Sequence, residues 1–306
     1  MAKVVIGIHG LGNKPSKDLL EKWWKDSIME GFELAGIVPA SAYRFELVYW
    51  ADIIYFYPEH PNIIDTNDPY FLKEPYRKAS KEIRKIPDNH FRKKVLQFIE
   101  NQLEKLFLNE DMSLNYAQVS DILMHKYFKE LAIYYGKSEE QIKLKMEIRN
   151  RLRQTIEQYK YDEIFLIGHS MGSMIAYDVL NFDLVDQQIH TFATIGSALG
   201  IPQIRAKIAQ ESMLKYNHLK INTPESVSHA WLNFSDLEDK IALNFDLNND
   251  FAPNSKGIQV SDFEIINDYS FNGIKNPHKA YGYLRNGEFI RKLNAFLSEK
   301  EKHSMT

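Results

Sequence analysis

A serine lies between two glycines in the pentapeptide Gly168-His169-Ser170-Met171-Gly172. A serine hydroxyl is a poor nucleophile at its own pKa, so a catalytic serine needs an exposed position and a neighbouring base. Residues 164–177 run from an apolar β-type segment through this pentapeptide into an amphipathic run. The two glycines permit a sharp strand-to-helix turn that lifts the hydroxyl clear of the backbone. We expect Ser170 to act as a nucleophile; a structural serine in a glycine turn is the alternative.

The pentapeptide His9-Gly10-Leu11-Gly12-Asn13 follows a second apolar segment and suits the same chemistry. Acyl transfer places negative charge on the carbonyl oxygen of the substrate, and fixed backbone N–H donors aimed at that oxygen lower the barrier. One donor is expected to be the amide of Met171, because the first residues of a helix lack intrahelical acceptors. The other is expected to be the amide of Leu11. The alternative for this pentapeptide is a tight turn after a strand.

With these two motifs the sequence resembles the α/β-hydrolase family, and more narrowly its lipase and serine-esterase members. Residues 9–13 are similar to the oxyanion loop of those proteins, and residues 168–172 to their nucleophile elbow. The resemblance implies an α/β fold, with a mostly parallel central sheet and helices on both faces. Such proteins commonly carry an antiparallel hairpin before the oxyanion-loop strand, whereas here that strand starts at residue 3. We therefore expect the sheet to be trimmed at this N-terminal edge.

The base should be a histidine that follows both the serine and an acidic residue, which is the chain order in this fold. Five of the ten histidines precede the serine or belong to the two motifs. His190 begins a predicted strand, His218 and His229 precede a late one, and His303 lies in the tail. His278 remains, in a loop with Pro and Gly between the last predicted strand and the last predicted helix. The alternative is that His278 is a solvent-exposed loop residue without a catalytic role.

The acid has two candidates, Asp236 and Asp239, which follow the predicted strand 230–234. Both lie at the carboxyl end of the penultimate strand, and only one can hold the imidazole of His278. The segment is similar to the N-x-x-D-x-x-D-x-[VI]-[AV] pattern of esterase-like relatives, in which the carboxylate just before the small apolar pair serves. This resemblance favours Asp239, which precedes Lys240, Ile241 and Ala242. Asp236 is the alternative acid, and whichever of the two is not the acid is expected to cap the turn.

Alternating strands and helices are expected to position these residues. Predicted strands cover residues 3–9, 45–50, 163–168, 190–199, 230–234 and 260–266, and predicted helices cover residues 17–36, 139–159, 173–180 and 287–297. Ser16 is the expected N-cap of the first helix, and Gly36 closes it. The strand–helix–strand order favours a parallel sheet with right-handed crossovers, in one domain over residues 1–306.

The alternation breaks between residues 51 and 136. Here the sequence has a Pro-rich aromatic loop and then helical periodicity, with Val95, Ile99, Leu103 and Leu106 spaced three and four apart. We interpret this segment as a mainly helical insertion in the domain, and as a possible lid or cap.

Composition excludes several classes of protein. A net charge of −3 gives no bulk electrostatic reason to expect nucleic acid. The absence of cysteine excludes disulfides and a cysteine nucleophile. The start of the chain is unlike a signal peptide, and no apolar run is long enough to cross a bilayer, so the expected location is cytoplasmic.

Asp and Asn occupy alternate positions from residue 246 to residue 250, as in a calcium-binding loop, but Phe251 and Gly257 lie where such a loop has Gly and Glu. We expect no metal and no cofactor.

These features together predict a serine hydrolase that cleaves a small-molecule or lipid carboxylic ester through an acyl-enzyme. The same residues also suit a thioesterase, an amidase or an acyltransferase. A non-catalytic binding protein on a hydrolase scaffold is an alternative of another class. Trp50 ends a strand at the same edge of the sheet, where it either lines the acyl pocket or packs in the core. The oligomeric state is not predicted.

Overall fold

The computed structural model describes residues 2–79, 131, 133–184, 186–242 and 246–299. Most of the predicted insertion, including the periodic segment 95–106, lies outside these residues, so its helical character and its role as a lid stay predictions.

Six parallel strands form the central sheet, in the order β2-β1-β3-β4-β5-β6. They are β1 (Lys3–Ile8), β2 (Arg44–Val48), β3 (Glu163–His169), β4 (Ile189–Ile195), β5 (Val227–Ser235) and β6 (Val260–Glu264). Among the described residues this sheet has no antiparallel strand, and β2 forms its edge, which agrees with the expected trimming. The strand order reverses at β1 and β3. In open parallel sheets the crevice at the carboxyl ends of such a pair is the usual ligand site.

Helices cover both faces of the sheet. They are α1 (Lys17–Ala35), α2 (Ala51–Ile54), α3 (Glu139–Gln158), α4 (Met171–Asp178), α5 (Pro202–Tyr216), α6 (Ala280–Leu284) and α7 (Gly287–Ser298). A π-helical turn, Val179–Asp183, continues α4, and a short antiparallel pair, β7 (Ser270–Phe271) and β8 (Ile274–Lys275), precedes α6. Strand side chains alternate between two cores: one contains α3, α4 and α5, and the other contains α1, α6 and α7.

Helix α1 has the predicted bounds. Its buried face repeats every four residues, with Leu20, Trp24, Ile28 and Phe32 packed against the sheet. Gly36 ends it in the left-handed conformation at φ 65°, and its N–H bonds to carbonyls of the last turn. Ser16 occupies the N-cap position, but its side chain makes no capping hydrogen bond.

Both described ends of the predicted insertion pack on the sheet domain. After α2, residues 55–79 return toward the loop that follows β1, where Glu59 donates its N–H to the carbonyl of Lys14 at 2.8 Å. Further along, Pro75 accepts a hydrogen bond from the hydroxyl of Tyr269 at 2.7 Å. At the other end, the hydroxyl of Tyr134 donates to the buried carboxylate of Asp178 at 2.7 Å. None of the helices in the described ranges combines the length and the apolarity that a bilayer crossing needs.

Candidate active site

Ser170 lies at the tip of the turn between β3 and α4. Its backbone has φ 55° and ψ −127°, a region that side chains rarely adopt and that marks stored strain. A Cβ at Gly168 would lie 2.7 Å from the Cα of Ser173 in α4. A Cβ at Gly172 would lie 2.7 Å from the carbonyl oxygen of His9, at the end of β1. The two glycines therefore let the turn pack against its neighbours while it holds the serine in this conformation.

His278 lies beside Ser170, although 108 residues separate them. Its Nε2 is 2.9 Å from the Oγ of Ser170, and its Nδ1 is 2.9 Å from the carboxylate of Asp239. Since a carboxylate only accepts, Nδ1 carries the proton and Nε2 accepts from the serine hydroxyl. The loop of His278 is itself fixed, because its backbone N–H donates to Asn276 Oδ1 at 3.0 Å. The structure thus joins Ser170, His278 and Asp239 in one hydrogen-bonded chain.

Asp239 is held from several directions. Its side chain is fully buried, and Oδ1 accepts the backbone N–H of Ile241 at 2.9 Å. Oδ2 accepts the hydroxyl of Tyr283 at 2.8 Å. A Cβ at Gly196, after β4, would lie 2.9 Å from this Oδ2, so only glycine fits against the pair formed by Asp239 and His278. These contacts fix the carboxylate in one orientation, as the carboxylate that orients an imidazole requires.

Asp236 makes different contacts. Its Oδ1 accepts the N–H of Glu238 at 2.7 Å, closing the turn after β5, and its Oδ2 accepts the N–H of Asn267 at 2.7 Å. Burial raises the pKa of Asp236 above its usual value, and the two backbone hydrogen bonds oppose that effect. The hydroxyl of Tyr283 accepts the backbone N–H of Asp236 at 3.0 Å, so Tyr283 connects the two aspartates. The structure places Asp236 in the turn, away from the imidazole of His278.

The loop after β1 approaches the serine closely. A Cβ at Gly10 would lie 2.7 Å from the Cβ of Ser170. The ammonium of Lys14 donates hydrogen bonds to the carbonyl oxygens of Leu11 and Gly12, at 3.0 Å for Gly12. Both carbonyls therefore face Lys14. Among the described residues, no acceptor contacts the backbone N–H of Leu11 or of Met171, the first residue of α4.

His9 and Trp50 contact each other at the start of this loop and fix its position. The indole Nε1 of Trp50 donates to the carbonyl of His9 at 2.8 Å, and the Trp50 backbone N–H donates to His9 Nε2 at 3.0 Å. The two rings stack with centroids 4.9 Å apart. Desolvation by burial holds the pKa of His9 well below 6.5, so the ring is neutral. Trp50 is fully buried and does not line the cavity at Ser170. Trp50 therefore packs in the core and not in the wall of the acyl pocket.

A cavity of about 630 Å³ opens at Ser170 and His278. Its walls include the loop after β1, the side chains of Glu59, Lys73 and Glu74, and the loop around His278. Apolar side chains from Leu11, Ile241, Phe271 and Ile274 line part of it, and charged side chains stand among them. One ion pair across this lining, between Lys279 and Glu74 at 3.0 Å, joins the start of the predicted insertion to the histidine loop.

Sequence reasoning missed two side chains at this site. Tyr283 lies one helical turn beyond the histidine loop, and its hydroxyl contacts both aspartates. His169 precedes the serine, and its Nε2 lies 2.7 Å from the carbonyl oxygen of His278. Because a carbonyl oxygen only accepts, Nε2 donates this hydrogen bond, and desolvation by burial holds the pKa of His169 well below 6.5. No local pattern reports either contact, because both depend on how distant segments pack.

The comparisons with known proteins agree with this fold. Residues 90–222 match the lipase (class 3) family, and the matched range contains β3, the Ser170 turn, β4 and α5. No curated protein matches the chain. The match supports a lipase- or esterase-like hydrolase in general terms. Together with this match, the six-stranded parallel sheet covered by helices on both faces shows an α/β-hydrolase fold, which the class 3 lipases share.

Proposed function

We propose that the protein is a serine hydrolase that cleaves a carboxylic ester, with Ser170 as nucleophile, His278 as general base and Asp239 as the acid that orients it. The observation that carries this proposal is the unbroken hydrogen-bonded chain from Ser170 Oγ through His278 to Asp239, with each contact at 2.9 Å. Nucleophile, base and orienting carboxylate within hydrogen-bond reach are the signature of covalent acyl transfer.

In the first step His278 Nε2 takes the proton of the Ser170 hydroxyl while Oγ forms a bond to the carbonyl carbon of the ester. The carbonyl oxygen becomes an oxyanion, and the backbone N–H groups of Leu11 and Met171 donate to it. The intermediate then collapses: the ester C–O bond breaks, and His278 returns the proton to the departing alkoxide. Asp239 stays ionised and stabilises the imidazolium while it exists.

Water completes the cycle. It attacks the acyl-enzyme as His278 removes a proton from it, and a second tetrahedral intermediate forms with its oxyanion on the same two amides. Collapse of this intermediate breaks the bond from acyl carbon to Ser170 Oγ and returns the proton to the serine. The products are a carboxylic acid and an alcohol.

We propose a lipid or other ester with a long acyl chain as the substrate. Two observations support this class: the class 3 lipase match, and the apolar side chains of Leu11, Phe271 and Ile274 in the cavity at the serine. Buried apolar surface contributes about 0.8 kcal/mol for each CH₂ removed from water, so turnover should rise with chain length until the cavity is filled. A series of nitrophenyl esters measures this dependence, and a sharp maximum at acetate would contradict the proposed class.

A fluorophosphonate probe tests the nucleophile. The probe forms a bond to an activated serine with loss of fluoride, and mass spectrometry of the digested protein locates it. We expect one adduct, on the peptide that carries Ser170. The variant Ser212→Ala is the matched control, since Ser212 is a buried serine on α5 that does not line the cavity at Ser170 and should leave labelling intact. Labelling that persists in Ser170→Ala would refute the proposal.

A further inference from the structure

Three side chains with metal-binding atoms lie together at the edge of the sheet opposite the candidate active site. They are His190 at the start of β4, His229 near the start of β5 and Glu299, directly after α7. One nitrogen of each imidazole and one carboxylate oxygen all lie within 4.8 Å of one another. Across the described ranges of the chain, no other group of three histidine or acidic side chains meets this spacing.

Glu299 contacts both imidazoles. Its Oε2 lies 2.9 Å from His190 Nε2, and its Oε1 lies 3.5 Å from His229 Nε2. Nitrogen and oxygen ligands lie about 2.0–2.1 Å from a zinc ion, so two ligand atoms of a tetrahedral site are about 3.3 Å apart. The contact between Glu299 and His190 is therefore close to the separation that a shared ion requires, and one ligand atom of each of the three side chains lies within 4.8 Å of the other two.

The side chain of His190 has a second contact that orients it. Its Nδ1 lies 2.9 Å from the hydroxyl oxygen of Thr191, which directs Nε2 toward Glu299, and its ring packs 5.1 Å from the ring of Phe296 in α7. A hydrogen bond at the second ring nitrogen is the usual support of a metal-bound histidine.

His229 supplies the adjustable ligand. Its ring stacks on that of His190 with centroids 4.4 Å apart and planes at 22°, so the two Nε2 atoms point side by side rather than at one centre. Binding of a shared ion requires this ring to tilt toward that of His190, and the side chain of His229 is 55% exposed, so more of it faces solvent than packed neighbours.

We propose that His190, His229 and Glu299 bind one divalent transition-metal ion such as Zn²⁺, with solvent completing its coordination. Two imidazoles and one carboxylate suit zinc, cobalt or nickel better than magnesium or calcium, which prefer oxygen ligands alone. The ion joins the end of α7 to β4 and β5, and by binding only the folded chain it stabilises the fold. Strand β4 separates it from the Ser170 edge by about 20 Å, so this proposal does not rest on the proposed function.

The test uses the full chain without a histidine tag, after removal of metal with EDTA. Calorimetry with ZnCl₂ gives the affinity and the stoichiometry, and visible absorption with CoCl₂ reports the coordination number. His229→Gln and Glu299→Gln remove one ligand each at an exposed position, so either variant serves if the other folds poorly. His60→Gln is the matched control, because His60 is an exposed histidine outside the cluster.

We expect one zinc equivalent per chain for the wild type and for His60→Gln. Loss of a supporting group around a metal costs about 10–100-fold in affinity, so loss of a ligand should cost at least as much in His229→Gln and Glu299→Gln. Zinc should also raise the melting temperature of the wild type but not of these two variants. Equal affinity in all four proteins, or wild-type binding no tighter than about 1 mM, would overturn the proposal.

Discussion

The imidazole of His169 donates a hydrogen bond from Nε2 to the carbonyl oxygen of His278 at 2.7 Å. The two rings lie with centroids 5.0 Å apart. The residue before the candidate nucleophile therefore fixes the backbone of the candidate base, and the serine and histidine loops are joined independently of the contact between their own side chains.

Replacement of His169 by Phe should keep the packing and remove this donor. A displacement of about 1 Å in a reacting group costs up to about 100-fold in rate, so we expect kcat for a nitrophenyl ester to fall by about 10–100-fold with little change in KM. His169→Gln, which offers an amide donor at a similar distance, should recover part of the loss. Wild-type kcat in His169→Phe, with an unchanged melting temperature, would show that the contact does not position His278.

The two aspartates should respond differently to amidation. Asp239→Asn replaces a carboxylate that accepts from His278 Nδ1, so the imidazole is left in the wrong tautomer and kcat should fall by about 10⁴-fold. Asp236→Asn disturbs only the turn and should lower the free energy of unfolding by about 1–3 kcal/mol while kcat stays near wild type. Steady-state kinetics and urea denaturation measure the two effects. The opposite outcome would make Asp236 the acid.

Gly172→Ala should damage both stability and turnover. The added methyl group meets the carbonyls at the end of β1, so the turn that carries Ser170 must shift, at a cost of about 1–3 kcal/mol. Gly257 is the matched control: it has φ 76°, but nothing lies within 4 Å of an added Cβ. Gly257→Ala should cost about 1 kcal/mol of backbone strain and leave kcat unchanged. Equal kinetics in the two variants would contradict this explanation of the glycine.

The buried histidines should make stability fall in acid. Desolvation lowers the pKa of His9 and of His169 well below 6.5, so below pH 6.5 the unfolded chain binds protons that the folded chain does not. The free energy of unfolding should therefore decrease as the pH falls below 6.5, by up to about 1.4 kcal/mol per pH unit for each histidine.

Urea denaturation between about pH 7.5 and about pH 5.5 measures this slope. His169→Gln should have a smaller slope than the wild type, because one titrating group is gone. Thr194→Val, which removes a buried hydroxyl that does not titrate, should lower stability equally at every pH. A slope identical in all three proteins would show that His169 contributes nothing to the acid sensitivity.

Much of the fold could be predicted from local signals. Helix α1 has a regular apolar repeat and a glycine stop, and it occupies the predicted residues. Helix α5 was not predicted, because its buried face consists of only Ile204, Ile208 and Ser212, a stripe too narrow to detect. Strand β2 was predicted to run to residue 50 but ends at Val48, because Trp50 turns under the loop of His9 and precedes α2.

Only those parts of the candidate site that carry local sequence patterns could be predicted. Ser170 and the loop at Leu11 carry their own sequence patterns, and chain order together with those patterns selected His278. Their catalytic roles stay predictions. Asp236 and Asp239 lie three residues apart on one turn, so sequence alone left both open, and the structure places only Asp239 against the imidazole. Tyr283 and His169 act through contacts with distant segments, for which the sequence carries no local signal.

The most direct test of the proposed chemistry is the mass of the protein quenched during turnover of a slowly hydrolysed nitrophenyl ester. We expect a burst of about one equivalent of nitrophenol and one acyl group on the peptide that contains Ser170, both absent in Ser170→Ala. Continued ester turnover by Ser170→Ala, or an acyl group on another residue, would contradict a covalent mechanism at this serine.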